Sequence, residues 1–355
     1  MSRWPIFVPL GAAALLVVAL LLPLSATLSV ACGLALVATV VAAVHHAEVV
    51  AHRVGEPFGT LVLALSVTAI ELALIVSLML AGGPDKAALA RDTMFATVMI
   101  ICNGVIGLCL LLGALRHREQ VFRIEGSRPA FAALVTLATL VLVMPDFTTS
   151  APGASYTPSQ LIFVGSSSLI LWFVFAFFQT VRHRDFFLPA ADPSNEEIHA
   201  APPAVAQAWV SFGLLLVALI AVVGLAKVLS PFIEAAVRDA GAPPAVVGIV
   251  IAMIVLMPET WAAVRAALAD RFQTSMNLAF GSALASIGLT IPAVVMASIL
   301  LDLPLVLGLE PKDMVLLVLT FLVGSIALGT GRTNIMQGAV LLVVFAAFLF
   351  LALVP

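Results

Sequence analysis

Ionisable side chains are scarce in this chain of 355 residues: 10% are Asp, Glu, Lys or Arg, 63% are hydrophobic, and the mean hydropathy is +1.20. A soluble domain carries about a quarter charged and about half apolar residues, so the composition excludes an ordinary water-soluble fold. Cysteine is nearly absent. The three present, Cys32, Cys102 and Cys109, fall inside apolar runs without a CxxC pair, which argues against disulfides and a structural zinc site. There is no GxxxxGK[ST] pattern, which argues against a transport ATPase contained in this chain, and no HExxH or GxSxG pattern to equip an intramembrane enzyme.

Hydrophobic length is what the chain has instead. A bilayer core takes about 20 apolar residues as helix, and eleven such runs occur near 5–24, 27–46, 58–81, 93–115, 130–147, 159–181, 208–229, 243–265, 272–300, 313–329 and 335–354. The expected fold class is all-α, a polytopic membrane protein of about eleven transmembrane helices. The first run follows Arg3, but its apolar part exceeds the roughly 7–15 residues of a signal-peptide core, so it reads as a retained helix. The longest polar stretch, about 182–207, "RHRDFFLPAADPSNEEIHAAPPAVAQ", suits a linker.

Orientation follows from Lys and Arg, which short cytoplasmic loops concentrate. With the N-terminus inside, the cytoplasmic set is Arg3, Arg53, Arg116, Arg118, Arg123, Arg128, Arg182, Arg184, Arg265, Arg271 and Arg332, eleven of the sixteen basic residues. Lys86, Arg91, Lys227, Arg238 and Lys312 lie outside.

An internal repeat is also visible. "RDTMFATVMIICNGVIGL" and "RFQTSMNLAFGSALASIGL" share the spacing from Thr93 to Ile106-Gly107-Leu108 and from Thr274 to Ile287-Gly288-Leu289. Each follows a helix that carries a glutamate, and the two helix pairs are five helices apart, so equivalent segments run in opposite directions. Such inverted repeats place transporter binding sites near the bilayer midplane. The expected organisation is an extra N-terminal helix (1–26), a first five-helix repeat (27–181), the cytoplasmic linker (182–207) and a second repeat (208–355).

Of nineteen acidic residues, only Glu71, in "TAIELALIV", and Glu259, in "IVLMPETWAA", lie deep within predicted helices, at corresponding places in the two halves. A charge at a helix centre costs about 2.5–3.5 kcal/mol even on the lenient insertion scale. One account is a protonated acid donating a hydrogen bond between helices; the other is ion or proton handling, with the two acids as ligands. Ser66, Thr68, Asn103, Asn277, Ser282 and Ser286 offer further oxygens on the same helices, although small polar residues also pack helices together. Gly281 allows close backbone approach to an ion or tight packing. Pro258 kinks its helix and frees carbonyl oxygens beside Glu259. At the cytoplasmic edge, His45, His46, Glu48, His52 and Glu56 form either solvated interface or a funnel for incoming protons and cations.

The stretches "AEVVAHRVGEPFGTLVLALSVTAIELALIVSLM", "RDTMFATVMIICNGVIGL" and "MPETWAAVRAALADRFQTSMNLAFGSALASIGLTIPAVV" resemble the two alpha-repeat regions of the calcium/cation antiporter superfamily, and within it the ChaA-type cation/proton antiporters. The resemblance implies that Glu71 and Glu259 carry the exchanged ion. It puts Asn103 at the asparagine of the first repeat's "SN" and Gly281-Ser282 at the second repeat's "GS". Where plant and fungal exchangers show "GN" before the acid, this chain has Val67-Thr68 and Leu256-Met257, so strict calcium selectivity is open: calcium exported against protons is the first expectation, and sodium or potassium exchange the alternative.

Charge accounting completes the expectation. Two carboxylates in a low-dielectric site bind protons more tightly through desolvation and mutual repulsion. A divalent cation or two protons neutralise them equally, and an empty, doubly charged site is costly to carry across the bilayer, so exchange results rather than uniport. A cation channel is the rival reading. The partners expected are small inorganic cations, protons and the lipid bilayer, with no nucleic acid and no cofactor. The expected location is a bacterial inner membrane.

Overall fold

A computed structural model of the protein describes residues 4–55, 58–188, 203–239, 241 and 243–354. Glu56 and residues 189–202 of the linker lie outside this set. The eleven helices are α1 (Trp4–Leu21), α2 (Ala26–Val54), α3 (Phe58–Gly82), α4 (Leu89–His117), α5 (Ile124–Phe147), α6 (Pro158–Arg182), α7 (Val205–Asp239), α8 (Ala245–Leu268), α9 (Phe272–Leu301), α10 (Pro311–Ala327) and α11 (Ile335–Leu353). Nine helices among the described residues are long and apolar enough to cross a membrane. The other two are α10, which has 17 residues, and α3, whose apolar stretch is Ala64–Leu80. The protein is an all-helical integral membrane protein.

Local chemistry sets several helix ends. The Ser25 hydroxyl accepts from Leu28 N to start α2, and Thr157 with Gln160 and Asn334 with Gln337 form reciprocal capping boxes at α6 and α11. Gly55 closes α2 at φ 77°, a conformation that costs glycine little, and its N–H reaches Ala51 O. Two expectations change here. The helix expected to end near 46 continues to Val54, because "VHHAEVVAHRV" is helix-compatible despite its polarity, so the histidine cluster lies on the last turns of α2. The linker begins later than expected: residues 184–186 form a short 3-10 turn, and Phe187 is buried against Phe175 and Phe178. Two adjacent phenylalanines have apolar surface to bury whatever charges flank them.

The chain divides into two compact units that cut across the sequence halves: Met1–Lys86 with Glu197–Val247, and Ala87–Glu196 with Gly248–Pro355. In the first, α2 packs along α7, α1 and α3. Leu16 of α1 lies over Gly224 of α7, where a Cβ would come within 2.3 Å of it.

In the second unit α4 packs on α11 and α6 on α9. Gly338 brings α11 against the α4 backbone: a Cβ there would lie 2.5 Å from Leu111 N. Loops join at both ends of this unit. At one end Gln120 N donates to Thr333 Oγ1 (2.8 Å), Thr333 N to Gln120 O (2.9 Å), His117 to Leu268 O (2.9 Å) and Arg123 N to Gln273 Oε1 (2.7 Å). At the other, Val306 N donates to Ala87 O and Arg91 to Gly308 O, both at 3.0 Å. The C-terminal end of α4 and the N-terminal end of α9 thus share one end of the unit. The two similar segments, Thr93–Leu108 and Thr274–Leu289, therefore run in opposite directions.

Candidate functional site

Glu71 sits in α3 with Ile70, Leu74 and Ile75 around it in sequence, all buried, and is itself 2% exposed. Thr68, one turn earlier, is buried too. Ser66 donates its hydroxyl proton back to Val62 O (2.7 Å), which leaves its oxygen lone pairs available as acceptors. A carboxyl, a hydroxyl and a half-buried serine thus follow one another along α3 within two turns.

In the second unit Glu259 lies half-buried in α8, directly after Pro258. Proline has no N–H, so the Ile254 carbonyl loses its ordinary helical donor. The next turn is held by Thr260, whose hydroxyl donates to Leu256 O (2.7 Å). The helix end is anchored by Ser275, which donates to Ala263 O (2.6 Å), and by Gln120, which donates to Ala267 O (2.9 Å). The acid is therefore carried on a helix pinned downstream of it, with a proline-weakened turn upstream.

The predicted oxygen donors separate once their contacts are known. Asn103 is fully buried in a π-helical stretch of α4, Ile100–Val105, in which the Ile106 N–H reaches back to Ile101 O. Its Nδ2 donates to Thr320 Oγ1 of α10 (2.9 Å) and faces Met99 Sδ (3.7 Å), while its Oδ1 is buried without a hydrogen-bond partner among the described residues. Asn277 is placed differently. Its amide donates to Phe187 O, which ties α9 to the segment after α6, and its oxygen accepts from Gln273 of the same helix (2.9 Å), so both ends of the side chain are engaged. Ser286 is buried at the start of another of the π-helical stretches, Ser286–Thr290, and Ser282 is half-buried one turn before it. Among the described residues no heavy atom lies within 4 Å of where a Gly281 Cβ would be.

The funnel residues also part. His46 is 3% exposed, and its Nε2 donates to Pro5 O of α1 (2.9 Å). That carbonyl would ordinarily accept from the residue four positions on, which is Pro9 and has no N–H. His46 thus supplies the missing donor and joins α2 to α1. His45 is half-buried against Trp4, with ring centroids 5.8 Å apart, and Glu48 is exposed. Among the described residues no three His, Cys, Asp or Glu side chains converge as metal ligands. Thr320, Thr97 and Thr290 are buried hydroxyl residues that sequence reasoning did not single out; among the described residues Thr97 and Thr290 have no hydrogen-bond partner for their Oγ1. A threonine in an apolar helix carries no signal by itself, because most donate back to their own helix.

Comparison with known proteins places this geometry in context. The profile of the sodium/calcium exchanger protein family matches residues 10–181 and 210–354. The chain is 50% identical over 324 residues to the putative ionic transporter y4hA of Sinorhizobium fredii, an alignment covering 90% of this chain and 87% of that protein. It is 36% identical over 309 residues to the sodium-potassium/proton antiporter ChaA of Escherichia coli, covering 86% and 83%. The crystal structure of the Ca2+/H+ antiporter protein YfkE shares the fold, with a TM-score of 0.73, 18% identity and coverage of 99% of both chains.

Proposed function

The chain belongs to the sodium/calcium exchanger protein family, and from that premise we propose that it is a secondary antiporter that moves a cation in one direction and protons in the other. Glu71 and Glu259 each supply one exchangeable negative charge. The observation that carries the reading is Glu71: a carboxyl 2% exposed on an apolar helix of a membrane protein needs a positive charge or a proton to be tolerated there. Loading with a cation and loading with protons are then alternative ways to neutralise the acids, which is the coupling an exchanger requires.

Calcium is the proposed cargo, since two carboxylates and a spare amide oxygen suit a hard divalent ion. Sodium and potassium are the second reading, favoured by the 36% identity to the sodium-potassium/proton antiporter of Escherichia coli. The protein resides in a bacterial inner membrane with its N-terminus inside, supported by the eleven basic residues on the cytoplasmic side of that topology. It acts as a carrier, not an enzyme, and uses no cofactor.

Purified protein in liposomes that enclose a pH-sensitive dye tests this directly. Calcium, sodium and potassium are added separately to the outside, and proton release is followed. Calcium is expected to drive release at the lowest concentration. Release with sodium or potassium and none with calcium would establish the second reading, and no proton movement with any cation would remove antiport altogether.

A further inference from the structure

Asn103 is held by an acceptor that fixes which way its amide points. An asparagine side chain presents an oxygen at one end and an NH2 at the other, and only its hydrogen-bond partners decide which end goes where. Here the partners on one side are Thr320 Oγ1 at 2.9 Å and Met99 Sδ at 3.7 Å. A threonine hydroxyl has a single proton, and Thr320 lies 2.8 Å from Leu316 O, the strongest acceptor within its reach. With that proton committed to the carbonyl, Thr320 can only accept from Asn103. Met99 Sδ can only accept as well. Both neighbours therefore require the NH2, and turning the amide over would set its oxygen against a lone pair and a thioether.

The consequence is on the other side of the amide. Oδ1 is directed away from Thr320 into a position where it is buried and has no partner among the described residues, on a residue that is 0% exposed. An unmet buried acceptor costs about 1–3 kcal/mol. An apolar residue at 103 would remove that cost, so the oxygen is retained for something that needs an acceptor. The π-helical stretch around it is consistent with this: π-turns inside α-helices are frequent at functional positions, and one here shifts Asn103 relative to the regular helical stripe.

We infer that Thr320 is a positioning residue for cation binding: by accepting from Asn103 Nδ2 it presents Asn103 Oδ1, and not the amide NH2, to the transported cation. The inference rests on the reading that Asn103 is a cation ligand, and it adds a residue of α10 that touches no cation itself. Without the Thr320 acceptor the amide can rotate, and an NH2 turned to the cation repels it where the oxygen would attract it.

Cation-driven proton release in proteoliposomes, read as KM and maximal rate for calcium and for sodium, separates the possibilities in four variants. Asn103→Ala should raise KM, and Thr320→Val, which keeps the shape but loses the acceptor, should raise it about tenfold with the maximal rate at saturating cation retained. Thr320→Ser, which keeps the hydroxyl, should recover most of the affinity. Asn103→Ala combined with Thr320→Val should be no worse than Asn103→Ala alone, because Thr320 acts only through the amide. A raised KM in Asn103→Ala with an unchanged KM in Thr320→Val would overturn the positioning role while leaving the ligand intact. Additive losses in the double variant, or a Thr320→Ser as impaired as Thr320→Val, would reduce Thr320 to packing. An unchanged KM in Asn103→Ala would overturn the ligand reading beneath it. Size-exclusion profiles establish folding for each variant, and Thr320→Ala makes the same comparison if the valine is not tolerated.

Discussion

Glu71 and Glu259 differ from the other acids in kind, since each must hold its charge within an apolar helix. An amide of the same shape keeps the packing yet can neither release a proton nor balance a cation. Glu71→Gln and Glu259→Gln are each expected to lower cation-driven proton flux by at least about a hundredfold with normal membrane insertion, as judged by liposome flux and by detergent-solubilised yield. Glu48 is exposed on the last turns of α2, and water can replace it. Glu48→Gln should therefore retain most of the flux in the same assay, and a loss equal to that of Glu71→Gln would restore a direct role to the funnel. His46 has a structural duty to the Pro5 carbonyl. The two asparagines were equivalent as sequence, each a polar residue in an apolar helix. Only their contacts distinguish a side chain with both ends engaged from one with a spare oxygen.

At the scale of elements, glycine decides how closely the helices of the second unit approach. A Cβ at Gly338 would meet Leu111 N at 2.5 Å and Leu111 Cα at 2.8 Å, both backbone atoms that cannot turn aside. Gly338→Val should therefore destabilise the α4–α11 contact by about 1–3 kcal/mol, read as a lowered thermal midpoint in detergent. Gly213→Ala in α7 is the matched control, because nothing among the described residues lies within 4 Å of its Cβ position and alanine is the better helix former. A midpoint lowered equally by both changes would mean that close approach at Gly338 is not what sets the loss. Helix identity was legible from apolar length alone. The extra turns of α2 were not, because a helix that leaves the bilayer carries the same polar residues as a loop, and hydropathy cannot tell them apart.

For the whole molecule, topology and coupling are the testable properties. The segments near 116–129 and 182–207 carry six of the eleven arginines assigned to the cytoplasm. Single cysteines placed in them, in a background lacking Cys32, Cys102 and Cys109, should resist an impermeant maleimide applied to intact cells and react after lysis. Labelling from outside would reverse the orientation. Coupling follows from competition for the same acids: raising the pH should tighten apparent cation affinity until both are deprotonated, so activity should rise into the alkaline range. For calcium the limiting dependence is about two protons displaced per ion, and for sodium or potassium about one. Titrating cation-dependent proton release from about pH 6 to 9 measures both, and an affinity independent of pH for every cation would leave a channel as the better account.

The sequence by itself determined that this is a membrane protein of eleven helices, which two acids lie deep within apolar helices, and that two helix pairs are related. Hydrophobic length, the cost of an intramembrane charge and residue spacing are local properties that can be read along a chain. Tertiary structure decided which of the polar side chains are spent on the protein and which are left over. Asn277 holds the Phe187 segment across 90 positions of sequence, and Asn103 meets Thr320 across 217. A hydrogen bond is settled by the distance and direction between two atoms, and for residues so far apart those exist only once the helices have packed.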